Sequence, residues 1–303
     1  MSLTSARPVR SRVPLRIWAM AARPRTLPAA IAPVLVGTAL AGSEGQFRPL
    51  AFCAALVGSV FIQIGTNLSN DYSDARRGAD TEERLGPVRV TAGGLAPPRK
   101  VLVATWLAFA IAVTAGAYLI ALVGWELLAV GAASILAGVL YTGGPRPYGY
   151  EGLGELFVFG FFGVVAVTGS YYVQTEELRG LAFTLAVPVG LLASAILMVN
   201  NIRDIETDRR AGKRTLAVRL GRHRARRVFA AMVYLPFIWT AVVSIVSGKW
   251  ALQLMWLSFA FAPGLVRSVA SRTDGPSLNR ALAQSGRLLA AFSLLVAAGL
   301  LLS

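Results

Sequence analysis

Nine long apolar segments, separated by short gaps that contain nearly all of the charge, constrain the fold of this chain more than any other feature. They lie at approximately 26–43, 50–68, 101–122, 126–142, 154–173, 181–200, 228–247, 250–269 and 285–302. Most approach the roughly 20 apolar residues that a helix needs to cross a bilayer. Only 15% of the residues are charged, too few to cover the surface of a soluble domain of this size. The segments therefore predict an all-α, polytopic membrane protein with nine transmembrane helices.

The distribution of lysine and arginine predicts the orientation of these helices. With the N-terminus inside, 27 of the 30 Lys+Arg residues fall in inner segments, and only Arg48, Arg179 and Lys249 fall in outer loops. Cytoplasmic loops carry this excess, so the N-terminus is predicted to be cytoplasmic. The net charge of +15 then reflects topology and membrane lipid, and it gives no reason to expect a nucleic-acid partner. The predicted organisation is a basic cytoplasmic segment at 1–25 and a single transmembrane domain at 26–303.

Acidic residues are concentrated in two short stretches on the predicted inner side, at 67–83 and 200–212. Together the stretches hold eight of the fifteen acids: Asp71, Asp74, Asp80, Glu82, Glu83, Asp204, Glu206 and Asp208. Each stretch contains an Asn, an Asp four residues later, a second Asp three or four residues after that, and then a Gly. This repetition predicts an internal duplication of two four-helix units, approximately 26–142 and 154–269, followed by a ninth helix.

The spacing of these residues predicts a metal site. On a helix, residues 67, 71 and 74 share one face, as do residues 200, 204 and 208. Two such faces brought together would crowd carboxylates that repel one another unless a cation binds. Carboxylate and amide oxygens without His or Cys suit Mg²⁺. The predicted metal ligands are Asp71, Asp74, Asp204 and Asp208, with amides from Asn67 and Asn200.

Basic residues lie beside both acidic stretches and predict a phosphate site next to the metal. Arg84 and Arg89 follow the first stretch, and Lys213 and Arg214 follow the second. Carboxylates that bind a metal, next to cations that bind phosphate, are typical of a diphosphate site. The chain has no G-x-x-x-x-G-K sequence, so a nucleoside triphosphate is not indicated.

The motifs resemble those of a known family. The sequences NLSNDYSDARRGAD from residue 67 and NNIRDIETDRRAGKRTLAVRLG from residue 200 are similar to the two aspartate-rich motifs of the UbiA superfamily of intramembrane prenyltransferases. RPRTLPAAIAPVLVGTALA at 23–41 and the run 78–89 are most similar to the branch that makes menaquinone. Many members place a third acid four residues after the second Asp, where this chain has Gly78, and Asp80 is the nearest acidic candidate.

The resemblance implies an enzyme that depends on Mg²⁺ and works at the cytoplasmic face of the cell membrane. It implies transfer of a polyprenyl chain from polyprenyl diphosphate to 1,4-dihydroxy-2-naphthoate, with loss of CO₂ and diphosphate, to give demethylmenaquinol. No obligate protein partner is implied. The residues expected to bind the diphosphate are Arg89, Lys213, Arg146 and Arg84. The residues expected near the aromatic acid are Arg23 or Arg25, with Tyr148 or Tyr150.

Several alternatives remain open from the sequence. Basic residues on inner loops also set topology and contact anionic lipid, so each proposed arginine has a structural interpretation. A relative with another aromatic acceptor, such as 4-hydroxybenzoate or homogentisate, would carry the same motifs. A cation-coupled transporter would also duplicate acidic residues, although its acids are expected near the bilayer midplane. The long inner segment 69–100, rich in Gly and Pro, is expected to act as a lid over the site.

Overall fold

The computed structural model describes residues 13–79 and 85–303, which form helices and turns without a β-strand in those ranges. The helices are α1 (Leu15–Ala22), α2 (Pro28–Ser43), α3 (Pro49–Arg76), α4 (Pro98–Val123), α5 (Glu126–Leu140), α6 (Gly154–Val158), α7 (Ala166–Thr175), α8 (Gly180–Arg210), α9 (Leu216–Ser247), α10 (Ala262–Ser271) and α11 (Gly275–Leu301). A π-helical segment, Phe159–Val165, joins α6 to α7, and a 3₁₀ segment, Trp250–Phe261, leads into α10. The predicted all-α class is confirmed.

Within the described part of the chain, seven continuous helical stretches are long and apolar enough to cross a membrane. Five are the single helices α3, α4, α8, α9 and α11, and two combine consecutive segments, Gly154–Thr175 (α6 to α7) and Trp250–Ser271 (the 3₁₀ segment and α10). An eighth span results if α1 and α2, which meet at an angle of 54°, are counted as one broken span. The predicted fourth span corresponds to α5, which is apolar but has only 15 residues. The chain is therefore a multi-pass membrane protein with seven or eight candidate spans, and the count of nine stays a prediction.

Helix α8 lies at the centre of the bundle and carries the second acidic stretch at its end. Its apolar part is the most buried of the candidate spans, and it packs against α9, α11 and the π-helical segment. Gly163 allows this last contact, because a Cβ there would lie 2.7 Å from the Cα of Gly190. Helix α3, which carries the first acidic stretch, packs against α4 and also contacts α2 and α5.

Both acid-bearing helices continue beyond their apolar runs, to Arg76 and Arg210. A turn follows each helix, at Gly78 (φ 65°) and at Gly212 (φ 74°), and this left-handed backbone conformation favours glycine. The chain then folds back over the helix ends. Segment 85–97 returns beside α3, and residues 213–215 return beside the loop that precedes α6. The side chains of both acidic stretches therefore meet residues from the segments that follow them.

Candidate functional site

A single deep cavity of about 800 Å³ connects the two acidic stretches. Its polar end is lined by Arg23, Asn67, Asn70, Asp74, Arg89, Tyr148, Tyr150, Asn200, Asn201, Asp204, Asp208 and Lys213. The remainder is largely apolar and is formed by α3, α4, α5 and the α6–α7 region, with Phe157, Phe161 and Phe162 among its residues. One chamber therefore combines a charged end with space for a long apolar chain.

Asp74 is the centre of an ion network at the polar end. Its side chain is almost completely buried, and its Oδ1 accepts a hydrogen bond of 2.6 Å from the Tyr150 hydroxyl. Its Oδ2 lies 3.2 Å from Nζ of Lys213 and 3.6 Å from Nη2 of Arg89. The Lys213 ammonium also lies 4.7 Å from the centre of the Tyr150 ring, within cation–π range. Two cations from different segments thus converge on one carboxylate.

The second acidic stretch contributes a different arrangement. Arg203 is fully buried and donates to both oxygens of Asp204, at 2.8 and 2.5 Å. The same guanidinium donates to Oδ1 of Asn200 at 2.8 Å and to Oδ1 of Asn279 in α11 at 2.6 Å. Asp208 is half-buried one helical turn further on, and its carbonyl oxygen accepts the backbone N–H of Lys213 at 2.8 Å. The turn at Gly212 therefore directs Lys213 back toward the cavity.

Two asparagines that sequence reasoning did not select also line the cavity. Oδ1 of Asn70 accepts the Thr142 hydroxyl at 2.9 Å, and Nδ2 of Asn201 donates to Oε1 of Glu155 at 2.9 Å. Both are buried. The sequence contains a signal for both residues, because each acidic stretch has a second Asn. Asn70 immediately precedes Asp71, and Asn201 immediately follows Asn200.

Several predicted site residues lie elsewhere in the structure. Arg146 and Arg25 are exposed and do not line the cavity, so the structure does not bring them to the site. The carboxylate of Asp71 does not line it either, because both oxygens accept backbone N–H groups, from Val90 at 2.9 Å and Thr91 at 2.7 Å. The predicted residues Asp80 and Arg84 lie outside the described residues.

Asn67 faces the cavity but is engaged with the N-terminal segment. Its Nδ2 donates to the carbonyl oxygen of Ala22 at 3.0 Å and to the Thr26 hydroxyl at 3.3 Å. These contacts hold the break between α1 and α2, where Arg23 adopts a left-handed backbone (φ 53°). A non-glycine residue rarely takes this conformation without support from its surroundings. The break places Arg23 in the cavity wall and leaves Arg25 at the surface.

Tyr148 lies in the same wall, between α5 and α6. Its ring stacks on Phe157 with centroids 3.9 Å apart, and its hydroxyl donates to the carbonyl oxygen of Ala137 at 2.9 Å. Burial raises the pKa of the Tyr148 phenol well above its ordinary value. Tyr148 therefore supplies a fixed aromatic surface beside the polar end.

The donor atoms of the cavity fit a hard divalent cation. Asp74, Asp204, Asp208, Asn70 and Asn200 offer oxygen donors only, which is the ligand type that Mg²⁺ prefers. Among residues 13–79 and 85–303, no group of three or more His, Cys, Asp or Glu is arranged to hold a metal. Mg²⁺ is commonly held by one or two carboxylates together with phosphate oxygens, so the site does not need three converging carboxylates.

Comparison with known proteins assigns the chain to a class. The model of the UbiA prenyltransferase family matches residues 30–295, and the chain therefore belongs to this family of prenyltransferases, as its motifs predicted. Over 286 residues it is 40% identical to the 1,4-dihydroxy-2-naphthoate octaprenyltransferase of Mycobacterium leprae, covering 94% of this chain and 96% of that protein. Over 255 residues it is 43% identical to the Mycobacterium tuberculosis protein of the same name, covering 83% and 86%.

A solved structure confirms the fold. A UbiA homolog from Archaeoglobus fulgidus, whose structure contains GPP and Mg²⁺, superimposes with a TM-score of 0.63, covering 92% of this chain and 99% of that one. The two sequences are only 14% identical, so the likeness concerns the fold alone.

Proposed function

We propose that this protein transfers a polyprenyl chain from polyprenyl diphosphate to 1,4-dihydroxy-2-naphthoate, as a step of menaquinone biosynthesis. The observation that carries the proposal is the meeting of both acidic stretches with Arg89 and Lys213 at the charged end of one long apolar cavity. The names of relatives at 40% and 43% identity support this acceptor. The products are demethylmenaquinol, CO₂ and diphosphate.

The charged end suits the diphosphate and a divalent cation. We assign Arg89 and Lys213 to the phosphate oxygens. Asp74, Asp204 and Asp208, with the amides of Asn70 and Asn200, would hold Mg²⁺. When bound, Mg²⁺ would neutralise charge that develops on the leaving diphosphate. The allylic C–O bond breaks with its electron pair going to the diphosphate, and the two buried cations stabilise that charge in a site with little water.

The apolar part of the cavity suits the prenyl chain. Its walls bury the hydrocarbon and exclude water, which protects the allylic cation from hydrolysis. The electron-rich naphthoate ring attacks that cation and forms a C–C bond at the ring carbon that bears the carboxylate. The bond to the carboxylate then breaks, its electron pair restores the aromatic ring, and CO₂ leaves.

Arg23 and Tyr148 are the residues we assign to the acceptor. Arg23 lines the cavity and provides a cation for the naphthoate carboxylate. Tyr148, whose ring is stacked on Phe157, provides an aromatic surface for the naphthoate ring. A planar aromatic acid would satisfy both groups at once, through a charge-assisted hydrogen bond and an aromatic contact.

The proposal includes the arrangement in the membrane. Because 27 of 30 Lys+Arg residues fall on one side of a nine-span topology, we place the N-terminus and the charged end of the cavity at the cytoplasmic face. The transmembrane domain spans 26–303 and contains the duplicated units 26–142 and 154–269.

The direct test is product formation by membranes that contain the protein. Membranes receive a polyprenyl diphosphate, Mg²⁺ and either 1,4-dihydroxy-2-naphthoate, 4-hydroxybenzoate or homogentisate, and mass spectrometry identifies the prenylated product. We expect product only with the naphthoate, and none after removal of Mg²⁺ with EDTA. Product with another acceptor would refute the proposed acceptor, and cation flux in vesicles without any prenylated product would refute the enzyme.

Two matched variants test the site in the same assay. Asp208→Asn is expected to lower turnover by about 100-fold or more, because it removes a charge from the diphosphate end, while the protein still inserts into the membrane. Glu176→Gln makes the same change of carboxylate to amide at an exposed position where Glu176 pairs with Arg48, and it should retain activity.

A further inference from the structure

We infer that Asp71 is a positioning residue, whose carboxylate anchors the turn 89–96 so that Arg89 reaches the cavity. The sequence predicted a metal ligand here, together with Asp74. The role of Arg89 in diphosphate binding rests on the proposed function, whereas the anchoring of the turn does not.

The hydrogen bonds of Asp71 carry this inference. Its buried carboxylate accepts two successive backbone N–H groups, Val90 to Oδ2 at 2.9 Å and Thr91 to Oδ1 at 2.7 Å. Such charge-assisted bonds are stronger than neutral ones. Unlike Asp74, Asp204 and Asp208, Asp71 does not line the cavity.

The anchored turn, residues 89–96, is compact and fixed by its own contacts. The backbone N–H groups of Leu95 and Ala96 donate to the carbonyl oxygen of Val90 at 3.0 and 3.2 Å, and that of Gly93 donates to Arg89 at 2.9 Å. The Val90 side chain is buried in an apolar cluster that includes Leu68 of α3. The backbone at residue 89 is thereby held at one place beside α3.

Anchoring the turn determines where the Arg89 side chain lies. Arg89 directly precedes the two amides that Asp71 holds, and its guanidinium reaches Asp74 and lines the cavity. Asp71 and Asp74 are separated by less than one helical turn. One carboxylate therefore binds the backbone of the turn, and the other binds the side chain that the turn presents.

A second anchor joins the same segment to the other acidic stretch. Nδ2 of Asn279 donates to the carbonyl oxygen of Leu85 at 3.1 Å, while its Oδ1 accepts from Arg203, the partner of Asp204. Gly275 permits this approach, because a Cβ there would lie 2.8 Å from the same Leu85 oxygen. The segment that carries Arg89 is thus attached to both acidic stretches.

Hydrogen–deuterium exchange of the purified full-length protein, without substrate, tests the anchor directly. In Asp71→Asn, one of the two amides loses its acceptor, and exchange at Val90 and Thr91 should become about 10- to 100-fold faster, as expected for the loss of a charged hydrogen bond. Glu176→Gln should leave this exchange unchanged. Unchanged exchange in Asp71→Asn would overturn the inference.

Kinetics and metal binding separate an anchor from a metal ligand. Asp71→Asn and Arg89→Gln should both raise KM for polyprenyl diphosphate. The double variant should be no worse than Arg89→Gln alone, because the two residues act through one contact. Binding of Mn²⁺, measured by electron paramagnetic resonance at a saturating concentration of a thiolodiphosphate analogue of the donor, should be unchanged in Asp71→Asn and weaker in Asp208→Asn. An equal loss of Mn²⁺ affinity in both variants would refute the inference.

A second variant covers the case in which Asp71→Asn does not accumulate. Asn279→Asp keeps the acceptor for Arg203 but removes the donor to Leu85, and it should likewise raise KM for the diphosphate and speed exchange in the segment 85–91. Normal exchange there would contradict the second anchor. If the wild-type protein forms no prenylated product, the proposed function fails, and the exchange data still decide whether Asp71 anchors the turn.

Discussion

Replacing Asp74 by asparagine tests the ion network at the polar end of the cavity. Asp74 faces two nearly buried cations, Lys213 at 3.2 Å and Arg89 at 3.6 Å. In Asp74→Asn these cations lose the buried carboxylate that they share. Removing one partner of a buried ion pair costs about 3–5 kcal/mol, and we expect the free energy of unfolding to fall by that amount.

The reciprocal change should cost less, because the network is asymmetric. In Lys213→Met the carboxylate keeps the Tyr150 hydroxyl at 2.6 Å and the Arg89 guanidinium. The variant loses one hydrogen bond to a charged group, worth about 1.5–3 kcal/mol, and the cation–π contact with the Tyr150 ring. The methionine chain replaces part of the packing of the lysine stem. The double variant should lose less stability than the sum of the two single losses, by about 0.5–3 kcal/mol.

Reversible unfolding of the purified protein in mixed detergent micelles, followed by tryptophan fluorescence, measures all three free energies. Lys249→Met, a change of the same type in the turn between α9 and the 3₁₀ segment, is the matched control and should shift stability by no more than about 0.5 kcal/mol. A loss in Lys213→Met as large as that in Asp74→Asn would refute the asymmetric network. Strict additivity in the double variant would show that the two side chains do not interact.

Three further outcomes are expected from the same structure. Arg23→Gln should raise KM for the naphthoate about 10-fold or more, as expected for loss of a charged hydrogen bond, without changing KM for the prenyl donor, whereas exposed Arg25→Gln should change neither. Gly116→Leu fills open space in the apolar wall. Mass spectrometry of the products from donors of increasing length should show that products with the longest prenyl chains are lost first. An unchanged length distribution would contradict binding of the prenyl chain in this part of the cavity. Gly37→Ala places a Cβ 2.2 Å from the carbonyl oxygen of Val167, so thermal unfolding should show about 1–3 kcal/mol of destabilisation, and an unchanged midpoint would contradict the close packing of α2 on α7.

Sequence periodicity predicted which face of α3 carries the acids, but it did not predict that Asp71 on that face points away from the cavity. At about 100° per residue, Asp71 lies about 40° to one side of Asn67, while Asn70 lies about 60° to the other. Asp74 falls between Asn67 and Asn70, and the cavity opens toward that half of the face. The spacing rule for shared faces is too coarse to separate these two edges. Only the return of segment 85–97 beside α3 decides which edge binds backbone amides.

The cationic side of the site was predictable only where a local turn determined it. Lys213 follows Gly212 at the end of an acid-bearing helix, and the turn directs it inward by a backbone hydrogen bond to Asp208. Arg146 and Arg25 carry the same charge on the same predicted face, yet both are exposed. Charge and sidedness therefore do not identify a ligand, because the side chain must also be carried inward by its backbone.

The buried ion pairs of the site have a consequence for binding. Asp74 pairs with Lys213 and Arg89, and Asp204 pairs with Arg203, because a buried charge that loses its partner is costly. In the proposed site, a diphosphate bound by Lys213 and Arg89 would take both cations from Asp74. The carboxylate would then need a new cation, which a divalent metal could supply. A metal bound first at Asp74 would likewise release the two cations for phosphate. Because coupling between two ligands is reciprocal, we expect metal and diphosphate to bind together more tightly than either binds alone.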